Sequence, residues 1–247
     1  MAHLSAADTR VARRKLEKDA AKALAELAHV LMIDYLRGWN GATKENIRLA
    51  EKALEKAYAI HRSVPLAHVA ESKIREVKGD LEGSIESLDA ALALDANLSD
   101  AYAHKANAFI LLGEAEKAPE LLTEAIKRRS DDSELGLFHW FMGRAYFNMG
   151  DYDQAIHWLN QSVGERPATW FTWAHLISAY VLKERFGEAR AAVIEYRKRF
   201  EADWPLDPNI RRYYDQPKYR EARPQLREAL EAFIKGLELA KDKACFP

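Results

Sequence analysis

The chain has 247 residues, 37 basic and 38 acidic, with a formal net charge of −1 and 48% hydrophobic residues. That balance argues against general nucleic-acid binding, which wants clustered excess positive charge, and no apolar run approaches the ~20 residues of a membrane-spanning helix. The opening MAHLSAADTRVARRKLEKDA lacks the apolar core of a signal peptide. The single cysteine, Cys245, cannot form an internal disulfide, so a reducing compartment, the cytoplasm, is the expected location.

In chain order, Ser5-Ala6-Ala7-Asp8 reads as a helix-start capping box. Leu16, Ala20, Leu24, Leu27 and Leu31 follow at steps of 4, 4, 3 and 4 and predict an amphipathic helix that runs into the next element or caps it. Arg10, Arg13, Arg14, Lys15 and Lys18 lie along it, as a patch for an anionic partner or as a solvated face.

Beyond this helix the chain repeats. Gly79, Gly113 and Gly150 sit in VKGD, LLGE and NMGD, and fourteen residues before each lie Pro65, Ser99 and Gly136. Two more units fit by pattern, so unit starts fall near Leu31, Pro65, Ser99, Gly136 and Trp170. The spacings are 34, 34, 37 and 34, the long step falling in the polar run Ser130-Asp131-Asp132-Ser133-Glu134, where insertion costs little. Each unit reads as two short helices joined by a tight turn. Small residues recur in the second helices, at Ala50, Ser84, Ala118, Ala155 and Ala189, and again at Ala57, Ala91, Ala125 and Ser162, where helices would pack closely. Gly143 is placed for close helix approach, and Pro119 for the first turn of its helix. A hairpin this short cannot bury its own apolar face and needs copies beside it.

After Arg199 the pattern stops. Trp204-Pro205, Asp207-Pro208, Gln216-Pro217 and Arg223-Pro224 break helices repeatedly, and a last helix carries Leu226, Leu230, Phe233, Ile234 and Leu237. The expected organisation is an N-terminal helix or cap over 1–30, repeats over 31–203, and a proline-rich segment with a C-terminal capping helix over 204–247.

A 34-residue period in helix-turn-helix units resembles the tetratricopeptide repeat, with Gly143, Tyr146, Ala155 and Pro167 on the family pattern. The resemblance implies an all-α, right-handed α-solenoid of about five repeats with capping helices at both ends. The runs DYLRGWNGATKENIRLAEKAL and DDSELGLFHWFMGRAYFNMGDYDQAIHWLNQSV, with the closing segment through FIKGL, are also similar to tetratricopeptide regions that follow class III nucleotide cyclase domains in bacteria. That narrower likeness suggests a bacterial signalling lineage and no activity, since nothing upstream of Leu31 is long enough to hold a catalytic domain.

No catalytic motif is visible. The eight histidines make no HExxH or other ligand spacing, and GxSxG, P-loop and GxGxxG motifs are absent. His68 and His139, at equivalent repeat positions, read as core or half-buried histidines. Neither a metal nor a cofactor is expected, and the chain reads as no enzyme. The family resemblance implies instead that the first helix of each pair lines a concave groove. The candidate partner-binding residues are then Tyr35 and Trp39; Lys73; Asn107 and Ile110; Trp140, Arg144 and Phe147; and Phe171 and Ser178. They suit a protein or peptide with apolar anchors, unless the chain's own termini fill the groove. Groove side chains are expected to support the core less than those between helices. The family's carboxylate clamp is not present: Asn107 matches one position, but Ala103 stands where its lysine belongs and Phe141 where its second asparagine belongs. The reading is a scaffold or adaptor for a protein partner, with no nucleic acid and no membrane involved and a homo-oligomer allowed. Its alternative is a regulatory module of a bacterial signalling system, cyclase-type or transcriptional, acting in trans.

Overall fold

The computed structural model describes residues 6–37, 43–129, 134–166, 169–200, 231–232 and 235–236, and statements of absence below refer to these. They form ten α-helices and no strand: α1 (Ala6–Arg37), α2 (Lys44–Ile60), α3 (Pro65–Lys78), α4 (Leu81–Leu94), α5 (Ser99–Leu112), α6 (Ala118–Arg128), α7 (Leu135–Asn148), α8 (Tyr152–Glu165), α9 (Trp170–Leu182) and α10 (Phe186–Arg199). The chain divides into two compact units, 1–108 and 109–247.

The turns follow local chemistry. Gly79 ends α3 at φ 86°, its N–H turned back to the carbonyls of the last helical turn, and Asp80 then accepts from Gly83 N–H to start α4. Gly150 at φ 79° and Asp151, accepting from Gln154 N–H, repeat the device between α7 and α8. Only glycine enters that left-handed region without steric cost. In the last pair the equivalent residue is Glu184, at φ 57°. Pro65 begins α3 and Pro119 lies in the first turn of α6, where a missing N–H costs little.

In the first unit α1 packs on both α2 and α3, and α3 packs on α4. Ala21, Ala25, Ala28 and Met32 give α1 a narrow stripe that meets Ala50, Ala53 and Leu54 of α2 and Ala67, Ala70 and Ile74 of α3. The expected N-terminal cap and the first repeat helix are one continuous helix, because nothing between Ala6 and Arg37 breaks it. Its expected cap at Ser5 lies outside the described residues, as do most of the Ser130–Glu134 loop and Pro167.

In the second unit α7 packs on α6 and α8, and α9 on α8 and α10. Gly143 is where α7 and α8 come closest: a Cβ there would stand 2.6 Å from Leu159 Cγ. Ser162 Oγ donates to the Gly136 carbonyl at 2.7 Å. All nine small positions read from the repeat are at most 1% exposed. Most of the 204–247 segment lies outside the described residues. Of it, Ala232 and Gly236, one helical turn apart, are buried, and a Cβ on Gly236 would stand 2.4 Å from Ile177 Cγ2 of α9.

Candidate functional site

The first helices of the pairs carry two clusters, one in each unit. In the first unit α1, α3 and α5 bring together an ionic network. Lys73 is 2% exposed, and its ammonium donates to Asp100 Oδ2 at 3.4 Å and contacts His104 Nε2. Asp100 Oδ1 lies 3.2 Å from His104 Nε2, and Oδ2 lies 3.8 Å from His29 Nε2. One turn along, Asn107 donates from Nδ2 to both Glu76 carboxylate oxygens, each at 3.2 Å. Burial by itself would raise the Asp100 pKa. The positive charge of Lys73 and the two histidines outweighs it and holds the carboxyl well below the ordinary range.

In the second unit the first helices carry rings instead. Trp140 of α7 packs 4.2 Å, centroid to centroid, from Phe171 of α9 and edge-on to His175 at 6.0 Å. Phe147 meets His175 edge-on at 5.7 Å, and the Arg144 guanidinium lies over the Trp140 ring at 5.4 Å. His175 donates from Nδ1 to the Phe171 carbonyl at 2.8 Å. Burial pushes its pKa down to about 4, helped by the Arg144 charge, so the ring is neutral at pH 7. The Trp140 indole N–H is buried and has no acceptor.

Of the sequence-predicted residues, Lys73 and Asn107 fall in the first cluster, and Trp140, Arg144, Phe147 and Phe171 in the second. Tyr35 is half-buried against the alanine-rich core of the first unit, Ile110 is buried, and Ser178 is buried with its hydroxyl on the Ala174 carbonyl at 2.7 Å. Trp39 lies outside the described residues. These side chains, expected to support the core less than those between helices, are mostly buried. Lys73, Asn107, Ile110, Arg144, Phe147 and Ser178 are at most 4% exposed and Trp140 is 7% exposed, covered by the chain itself. Adjacent first helices pack closely enough for large groove side chains to stack on one another. Sequence reading did not single out Asp100, His104, His29 and His175. The i, i+4 spacing of Asp100 and His104, and of Phe171 and His175, was the available signal.

The other two notable histidines are partnered. His68 Nδ1 lies 3.2 Å from the Tyr58 hydroxyl, which donates to Glu71 at 2.7 Å. His139 Nδ1 lies 2.9 Å from Glu165 Oε2. Among the described residues no group of three His, Cys, Asp or Glu side chains is set to hold a metal ion, and no helix is long and apolar enough to cross a membrane.

A tetratricopeptide-repeat family model matches residues 138–169, the stretch that builds α7 and α8. No curated protein matches the chain in sequence. Among solved structures it is similar to PilW, a widely conserved type IV pilus biogenesis factor, with a TM-score of 0.63 at 16% identity, covering 84% of this chain and 90% of that one. It is similar to Pseudomonas aeruginosa pilF, with a TM-score of 0.62 at 16% identity, covering 93% and 97%. YrrB, a tetratricopeptide protein with an unusual peptide-binding site, gives a TM-score of 0.50 at 15% identity, covering 78% and 94%. The chain therefore has the all-α tetratricopeptide fold. The narrower likeness to cyclase-associated regions gains no support from these matches.

Proposed function

We propose that the chain is a non-catalytic interaction scaffold that takes a protein or peptide segment against the first helices of its second unit. Its fold is that of proteins such as YrrB, described as having a peptide-binding site. The observation that carries the reading is the Trp140 indole N–H, buried among Phe171, His175 and Arg144 without an acceptor. An unmade hydrogen bond at a buried donor costs about 1–3 kcal/mol, and an incoming backbone carbonyl would relieve it. The half-buried ring of Phe171 is the part of this surface a partner meets first. Of the remaining candidates, Tyr35, Lys73 and Asn107 belong to the first unit and Ile110, Arg144, Phe147 and Ser178 to the second, and Trp39 stays a candidate by its place in the sequence alone. A partner reaches the buried ones only when side chains covering them swing aside.

The test is Trp140→Phe, which keeps an aromatic ring and removes the donor. A partner isolated by cross-linking and mass spectrometry is titrated against both chains. The variant is expected to melt no lower than wild type, because an unsatisfied donor is gone, and to bind the partner about tenfold more weakly, about 1.4 kcal/mol. Equal affinity would move the site off these helices.

A further inference from the structure

The long helix α1 is apolar on two faces, and only one of them is used. Ala21, Ala25, Ala28 and Met32 are fully buried against α2 and α3. At 100° per residue, Leu16, Ala20, Ala23, Leu27 and Val30 fall on a stripe nearly opposite, and all five are exposed, Leu16 at 68%, Leu27 at 50% and Val30 at 52%. Their steps are 4, 3, 4 and 3, the spacing of a coiled-coil seam. A helix apolar on both sides is normally covered on both sides. From residue 10 to residue 20 every side chain except Glu17 is exposed, so this half of the helix has no packing of its own to hold it.

The stripe says what covers it. Leu16, Ala20, Ala23 and Leu27 read large, small, small, large at steps of 4, 3 and 4, the same in either direction. Beside them run Lys15, Asp19, Lys22 and Glu26, also at steps of 4, 3 and 4 and all exposed. Reversed, that flank presents Glu26, Lys22, Asp19 and Lys15. A two-fold interface must be complementary to itself, and this one is. With two helices antiparallel, Leu16 meets Leu27 of the second copy and Ala20 meets Ala23, so the backbones approach closely at the centre. Lys15 meets Glu26 of the second copy and Asp19 meets Lys22, each an opposite charge. Within one chain Lys22 reaches only Glu26, at 3.8 Å and in solvent, a contact that contributes little.

We propose that the exposed face of α1 is a homodimer seam, two copies pairing antiparallel through Leu16, Ala20, Ala23 and Leu27 with the Lys15–Glu26 and Asp19–Lys22 charges alongside. The seam from Leu16 to Val30 is about 21 Å long at 1.5 Å per residue. One helix pair of that length buries less than a standard interface, so the dimer is reversible.

Sedimentation equilibrium of the full chain over a range of concentrations tests this, with a circular-dichroism melt of each variant as the control for folding. The wild type is expected to shift from monomer to dimer. Leu16→Glu with Leu27→Glu alters only exposed side chains, and it should keep the fold and raise the dimer dissociation constant at least tenfold. Lys15→Glu with Lys22→Glu should also weaken self-association, as should Asp19→Lys with Glu26→Lys, while an equimolar mixture of those two variants should dimerise as wild type does. A chain that stays monomeric throughout overturns the proposal, including one that instead binds vesicles of anionic phospholipid through this face. So does a dimer indifferent to the leucine changes, or a mixture of charge variants that pairs no better than either alone.

Discussion

The two units fill the space between their first helices with different chemistry. In the first, the space between α1, α3 and α5 is taken by Lys73, Asp100, His104 and His29, polar groups gathered around one carboxylate. In the second, the space between α7 and α9 is taken by Trp140, Phe147, Phe171 and His175, rings that stack, with Arg144 laid over one of them. These hairpins constrain the small residues at their helix crossings and the left-handed residue at their turns. What lies between first helices is free to be ionic or aromatic, provided each side chain finds a partner. The consequences differ. Aromatic stacking contributes buried area and is lost as volume, whereas an ionic cluster contributes little net stability and is lost as an uncompensated charge.

The largest expected effect comes from Trp140→Ala. Removing a ring packed against Phe171 and His175 should cost about 3–5 kcal/mol, and hydrogen exchange should show the loss in α7 and α9 rather than in α3. Unchanged protection in α9 would mean the aromatic cluster is not what holds the second unit together.

Acidification should separate the units. His175 is neutral in the folded chain with a pKa of about 4, against an ordinary 6.5. The stability linked to it is complete above pH 6.5 and falls as pH drops toward 4, by up to about 3 kcal/mol. Asp100 is held well below the ordinary 3.8, so its contribution is present above 3.8 and is lost only as pH falls below that. Melting followed by hydrogen exchange at pH 7, 5 and 3 should therefore show α9 loosening before α3. The reverse order would break the comparison.

A smaller effect is expected from Lys73→Met, which keeps the apolar stem and removes the ammonium. It leaves Asp100 with only its two histidines and should cost about 1–3 kcal/mol at pH 7. A higher melting temperature would show that the buried charges cost more than they return, and that the first unit keeps them for a purpose other than stability.

The smallest change sharpens the comparison at the turns. The first unit turns at Gly79 and the second, in its last pair, at Glu184, both in the left-handed region. Glu184→Gly should stabilise the chain by about 0.5–1 kcal/mol, since relief of the side-chain clash exceeds the entropy added to the unfolded chain. A lower melting temperature would show that the Glu184 side chain itself contributes.

The sequence alone determined what depends on neighbours along the chain. Gly79, Gly113 and Gly150 marked the turns because left-handed backbone selects glycine, and all three have positive φ. Gly143 and the nine small residues marked helix crossings because a Cβ or a longer side chain has no room there, and all are buried. The helix pairs, the all-α class and the stretch matched as a tetratricopeptide repeat follow from those marks. Tertiary structure alone decided which groove positions remain open. Repeat position alone puts Lys73 and Arg144 in the groove, yet they are 2% and 1% exposed. Whether a large side chain on a first helix faces a groove or its neighbouring helix depends on how closely two helices some 30 residues apart approach. No spacing within one helix carries that distance. The His175 pKa and the pairing of Asp100 with Lys73 and two histidines from α1, α3 and α5 arise in the same way, from desolvation and charge proximity that exist only once the helices are packed.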